Sequence, residues 1–169
     1  PFMAVIGAFL LNNHGTNIVT MIMLASIAVY VFLVVLFREK LNENVYPWAL
    51  WMIGLSLLLM YSLRSWYISG DDIHQEYLIF QLTKENFHWS MLNFRDAYNA
   101  CLSITILPTI FYLYSHINDV FICKIFFQVI FASCSIVIYL IASRFINKSY
   151  SFLSAFFFMS QIQFIQYYI

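Results

Sequence analysis

The chain has 169 residues, of which 63% are hydrophobic, 20% aromatic and only 9% charged, and its eight basic and eight acidic residues cancel. So apolar a composition excludes a water-soluble domain of this length and makes a bilayer its natural solvent. Balanced charge removes the electrostatic basis for binding nucleic acid, and the linear sequence holds no polybasic lipid-binding cluster.

In chain order, residues 1–11 read as the end of a membrane helix, followed by the polar turn Asn12-Asn13-His14-Gly15-Thr16-Asn17. The chain begins at Pro1 and stops at Ile169 within an apolar segment, so it is expected to be a fragment of a longer polypeptide. Residues 18–37 carry no charge and are long enough to cross the roughly 30 Å of hydrocarbon as a helix. The polar run from Arg38 to Asn44 closes this span, and Pro47 sits where the first turn of the next helix accepts a residue lacking N–H. Residues 48–67 form that next span. Trp48 and Trp51 open it and Arg64, Trp66 and Tyr67 close it, a pattern of interfacial anchors.

Residues 69–102 differ in texture, holding Asp71, Asp72, Glu76, Lys84, Glu85, Arg95 and Asp96 with His74 and His88. No uncharged run here is long enough to cross, and connections of this length usually have structure or function of their own. Ser69 followed by Asp72 predicts a capped helix start. Ile73, Tyr77, Phe80 and Lys84 then recur on one helical face, with Asp72, Glu76 and Thr83 on a neighbouring one. The pattern predicts an interfacial amphipathic helix. Phe87, Trp89, Met91, Leu92 and Phe94 predict a second interfacial piece ending near Arg95.

Residues 103–117 are apolar but short and interrupted by Pro108, which reads as a re-entrant or interfacial segment. Residues 120–143 and 150–169 are further spans. If residues 103–117 do not cross, Arg38, Lys40, Arg144 and Lys148 share one side, which the positive-inside rule makes cytoplasmic. Residues 69–102 are then external. If they do cross, the Arg144 loop moves outside and the rule is partly broken. The expected fold class is all-α, a polytopic helical membrane protein forming one membrane-embedded domain with an external loop carrying interfacial helices. The expected location is the cell membrane, multi-pass. Cys101, Cys123 and Cys134 show no CxxC or Cys/His ligand spacing and read as small buried hydrophobes.

A carboxylate at the water–membrane boundary can accept a proton from an acceptor hydroxyl or hold a cation beside a phosphate leaving group. Asp71 and Asp72, with Glu76 one turn later, are the candidates. The plainer reading is that both aspartates stabilise a helix N-terminus, and that His74 is a surface residue. Arg64 and Arg95 either pair with the acids or a lipid phosphate, or extend to the interface.

A membrane helix emerging into the motif Gly70-Asp71-Asp72-Ile73-His74-Gln75-Glu76-Tyr77, then interfacial helices and further spans, resembles the start of the C-type glycosyltransferase (GT-C) superfamily. The stretch from Tyr98 to Pro108 is similar to that of uncharacterised, largely archaeal, multi-pass proteins of the same layout. Over residues 48–169 the resemblance implies an inverting glycosyltransferase that moves sugar from a polyprenyl-phosphate donor to an acceptor on the external face. It implies Asp71 or Asp72 as general base or as ligand of a divalent cation, Mg or Mn. Arg64, His74, Glu76 and Arg95 are implied as substrate-binding residues. The pair here is Asp-Asp where mannosyltransferases carry Asp-Glu, so either aspartate fills the family role. The competing classes are a transporter or flippase of lipid-linked saccharides, which would need polar residues along the spans, and a non-catalytic membrane subunit.

Overall fold

The computed structural model describes residues 1–38, 40–68, 70, 72–92 and 94–166. Among the described residues the protein is all-helical, with no strand. The helices are α1 (Phe2–His14), α2 (Ile18–Leu36), α3 (Tyr46–Ser62), α4 (Ile73–Asn86), α5 (Leu102–Ser115), α6 (Asp119–Ala142), α7 (Lys148–Met159) and α8 (Ile162–Gln166). Short 3-10 turns precede α3 and α5, and α6 contains a π-helical stretch over Ile122–Phe126.

Among the described residues three helical stretches are long and apolar enough to cross a membrane: Ile18–Leu36, Glu43–Ser62 and Asp119–Ala142. Only 11% of the apolar window of α2 is buried within the protein. Its large side chains are thus left exposed by the protein itself, and exposed apolar area costs about 25 cal/mol per Å² in water. The apolar helix α5, at 14 residues, is about 21 Å long from a 1.5 Å rise per residue, short of a crossing.

The chain packs as two compact units. The first comprises Pro1–Trp66 with the described residues from Gln128 to Gln166, and the second Tyr67–Phe127.

In the first unit α3 is the hub, buried from Ile53 to Leu59 without a break. Pro47 lies in its first turn, where no intrahelical N–H is needed. Tyr46, fully buried, packs its ring on Phe152 at 5.3 Å and on Tyr139 at 6.4 Å. Gly54 lets α6, α7 and α8 close on α3, because a Cβ there would meet Met159 Sδ at 3.0 Å, Phe164 Cζ at 3.6 Å and Ser135 Oγ at 3.6 Å.

The expected span over residues 150–169 is interrupted. Ser160 Oγ and Gln161 Nε2 both donate to the Phe157 carbonyl, at 2.7 and 3.2 Å, and α7 stops at Met159. Side chains that bond back to the preceding turn compete with helix continuation. The short α8 then places buried Phe164 against Phe131 and Phe158.

Hydrogen bonds order the ends of these helices. At one end Asn12 Nδ2 donates to the Leu63 carbonyl at 2.9 Å, and Phe9 meets Trp66 edge-on at 6.2 Å. At the other, the loops 37–45 and 143–149 meet. Lys148 pairs with Glu43 at 2.7 Å, Tyr46 Oη lies 3.5 Å from Ser149 Oγ, and Arg38 donates to Tyr150 Oη at 3.4 Å. Helices α1, α2 and α3 thus alternate in direction, and α6 ends where α3 begins.

In the second unit α4 packs along α5, burying Ile73, Ile79, Phe80 and Thr83. Phe111 stacks on Phe126 at 4.6 Å. Both α4 and α5 end on left-handed residues, Phe87 at φ 49° and His116 at φ 52°. The predicted second interfacial piece forms no helix among its described residues. Instead Trp89 Nε1 donates to the Asn99 carbonyl at 2.8 Å, and Asn99 Nδ2 donates to the carbonyls of Ser90 at 3.0 Å and Phe94 at 2.7 Å. Buried Asn99 thereby supplies the loop with the backbone partners a helix would have provided. Of the cysteines, Cys123 is buried and Cys134 half-buried, whereas Cys101 is exposed just before α5, contrary to the expectation for it.

The α1–α2 hairpin closes on Gly7, where a Cβ would lie 2.5 Å from Thr20 Oγ1 and 3.2 Å from Thr20 N. Small residues permit this approach between apolar helices. Gly7→Ala is expected to lower stability by about 1–3 kcal/mol through overpacking, and Thr20→Ala in the same chain to recover part of the loss. Thermal unfolding in detergent of the two single variants and the double variant checks this; additive losses would contradict it.

Candidate functional site

The acidic segment is built on the start of α4. Asp72 is the residue before its first turn, and its carbonyl accepts from Gln75 N at 3.0 Å and Glu76 N at 3.2 Å. Its side chain makes no hydrogen bond to the helix N-terminus. The capping-box register read from the sequence, with Asp72 inside the first turn, is therefore not the one formed, since α4 begins at Ile73. The exposed Asp72 carboxylate is the chief influence on the Tyr98 phenol, whose pKa is raised by interaction with Asp72, then by desolvation and the charges of Asp72, Glu76 and Asp96.

Tyr98 opens a 3-10 turn, where its N–H donates to Asp96 Oδ1 at 2.9 Å. Asp96 thus fixes the turn that presents the phenol. Glu76 lies one helical turn after Asp72, half-buried. Burial, and then the negative charge of Asp72, raise its pKa above the ordinary carboxylate value. The result is a pair of carboxyl groups in unlike surroundings, one exposed and the other half-buried with its pKa raised. Environments that separate two acids in this way suit them to divide proton acceptance and proton donation.

Farther along α4 lies a second polar cluster. Lys84 forms an ion pair and hydrogen bond with Asp119, and Gln81 Nε2 donates to the same carboxylate oxygen at 2.7 Å. The Lys84 ammonium also lies 5.0 Å from the Tyr112 ring centroid and 5.9 Å from that of Phe80. Desolvation lowers the Lys84 pKa, but the hydrogen bond and attraction to Asp119 outweigh it, and the net shift is upward. This cluster joins α4 to the start of α6 and to α5.

Of the residues singled out from sequence, Asp72 and Glu76 converge with Tyr98. His74 and Arg95 are exposed on the same unit, and Arg64 is exposed in the other. Asp71 and Ser69 lie outside the described residues. Sequence reasoning passed over Tyr98, Gln81 and Asp119 as site members. The one available signal was a lone acid, Asp119, at the head of an apolar run, since its partners are 35 and 38 residues away. No group of three His, Cys, Asp or Glu side chains among the described residues is arranged to hold a metal ion. Asp72 is the described member of the candidate metal-binding pair, and Asp71, the other, lies outside the described residues.

In comparisons with known proteins, the chain matches no family model, no curated protein and no solved structure.

The raised Glu76 pKa has a measurable sign. A carboxyl whose folded pKa exceeds its unfolded value adds a cost on ionisation, absent below the unfolded pKa and fully present once the pH has risen through the folded one. Glu76→Gln is therefore expected to unfold at a higher temperature than the unmodified protein at neutral pH. The gap should close as the medium is acidified toward the ordinary carboxylate range. Melting curves across that range check it, and a gap that does not change with pH would contradict it.

Proposed function

We propose that the protein is a multi-pass membrane glycosyltransferase of GT-C type, transferring a sugar from a polyprenyl-phosphate donor to an acceptor on the external face. The observation that carries this reading is the convergence of Asp72, Glu76 and Tyr98 at the start of α4. Asp72 is the base. As the acceptor oxygen attacks the anomeric carbon, its proton passes to the Asp72 carboxylate, and the bond from that carbon to the phosphate oxygen breaks. The electron pair leaves with the polyprenyl phosphate, and the anomeric configuration inverts. Glu76, held nearer its protonated form, orients or protonates, and Tyr98 steers the Asp72 carboxylate. Arg64, Arg95 and His74 are the candidates to hold the donor phosphate, and Asp71 remains a second candidate for the base. No step is routed through a cation.

The side on which the acids lie is supported by the first unit. Glu43 at the start of α3 and Lys148 after α6 are in contact, so the chain leaves along α3 and returns along α6 to the same end. An even number of crossings therefore separates them, which favours the arrangement in which residues 103–117 do not traverse the bilayer. The end with Arg38, Lys40, Arg144 and Lys148 is cytoplasmic by the positive-inside rule. Residues 69–102 are then external.

Asp72→Asn keeps the helix start, because the carboxylate makes no cap bond there. In membranes supplied with a labelled polyprenyl-phosphate hexose, this variant is expected to lose transfer by about 10²–10⁴-fold, the usual effect of removing a general base. Tyr98→Phe should lose less. Transfer retained in Asp72→Asn would overturn the assignment to Asp72. Movement of the labelled lipid between leaflets with no new glycosidic bond would identify a transporter.

A further inference from the structure

The loops 37–45 and 143–149 enclose an open groove of about 1040 Å³ in the first unit, whose walls include Arg38, Asn42, Glu43, Lys148, Ser149 and Tyr150. Its charges come from two loops more than a hundred residues apart, so the linear sequence shows no basic cluster. Lys148 is paired with Glu43. Arg38 has only the Tyr150 hydroxyl, at 3.4 Å, and no ion pair among the described residues. The groove therefore keeps one guanidinium whose planar fork of donors is available to an oxyanion.

A second feature adjoins it. An apolar crevice of about 30 Å³, lined by Val34, Val35 and Leu153, shares Arg38, Ser149 and Tyr150 with the groove. It lies against the last turn of α2, a helix of which little is buried by protein. A cationic, hydroxyl-rich mouth continuous with a narrow apolar slot, at the end of a membrane-length helix, has the polarity profile of one class of ligand. We propose that this groove binds the phosphate headgroup of an anionic membrane lipid, with Arg38 on the phosphate and the first carbons of an acyl chain in the Val34–Leu153 crevice. The site lies at the opposite end of α3 from the chain's exit toward the acidic cluster and is independent of the reaction proposed above. On the positive-inside reading it faces the leaflet that carries anionic lipid.

The test uses the full chain in phosphatidylcholine vesicles containing spin-labelled phosphatidylglycerol or spin-labelled phosphatidylcholine, and reads the protein-immobilised fraction of each at high salt, where the diffuse surface field is screened. The unmodified protein is expected to immobilise phosphatidylglycerol preferentially. Arg38→Gln should reduce that preference by more than about tenfold, the loss of a hydrogen bond to a charged group. Arg144→Gln removes the same charge from outside the groove and should change the preference by less than about fivefold, the effect of one basic residue on a surface field. Equal effects of the two substitutions, or no preference in the unmodified protein, would overturn the proposal. Competition by soluble glycerol 1-phosphate as effective as that by the lipid would overturn the lipid assignment, because the crevice would then contribute nothing. The unmodified protein alone decides the question if Arg38→Gln fails to fold.

Discussion

The packing of the Tyr46 ring is the interaction on which the first unit depends. With no exposed surface, it sits at the start of α3 between Phe152 of α7 and Tyr139 of α6. Aromatic pairs of this kind contribute about 0.5–1.5 kcal/mol beyond the area they bury. Its hydroxyl reaches Ser149. One side chain thus fixes the beginning of α3, the end of α6 and the beginning of α7 at a common level. The meeting of Glu43 with Lys148 follows from that arrangement, as does the groove between the two loops. That ion pair is exposed and contributes little energy by itself. Its value is as a geometric marker of which chain ends share a side.

In the second unit the same role falls to α4. One end of the helix carries the exposed Asp72 with Tyr98 and the half-buried Glu76. Farther along, it is fastened by Lys84 and Gln81 to Asp119. The Lys84 and Asp119 side chains are only 17% and 16% exposed, and breaking a pair desolvated to that degree leaves a charge with little water to receive it. The fastening therefore holds the helix that presents the acids. A rigid element of this kind positions reacting groups more closely than a free loop does.

Much of this was legible in the sequence because charge is so scarce. The apolar runs over residues 18–37, 48–67 and 120–143 correspond closely to helices, and Pro47 marked the start of α3 correctly. The helical face of Ile73, Tyr77 and Phe80 gave α4. Period and charge are local signals, and they fail where tertiary packing decides. Tyr46 is not singled out by the sequence, because its importance comes from Phe152 and Tyr139 packed around it. Ser160 and Gln161 look compatible with a continuous span, yet their bonds to Phe157 end the helix. Asn99 gives no periodic signal, and its three-way tie to Trp89, Ser90 and Phe94 replaces the second interfacial helix with a loop. In the candidate site, Asp72 and Glu76 were visible as acids, but their phenolic partner lies more than twenty residues away, beyond the reach of any spacing rule.

The proposed function requires that the acids of α4 and the paired basic loops lie on opposite sides of a membrane. Glu85 and Asn147, both exposed, report on the two sides. With exposed Cys101 first changed to serine, Glu85→Cys and Asn147→Cys are introduced singly into the full-length protein and treated in intact cells with a membrane-impermeant maleimide. The account predicts labelling at position 85 before permeabilisation and at position 147 only after it. Labelling of both positions from the same side would contradict it.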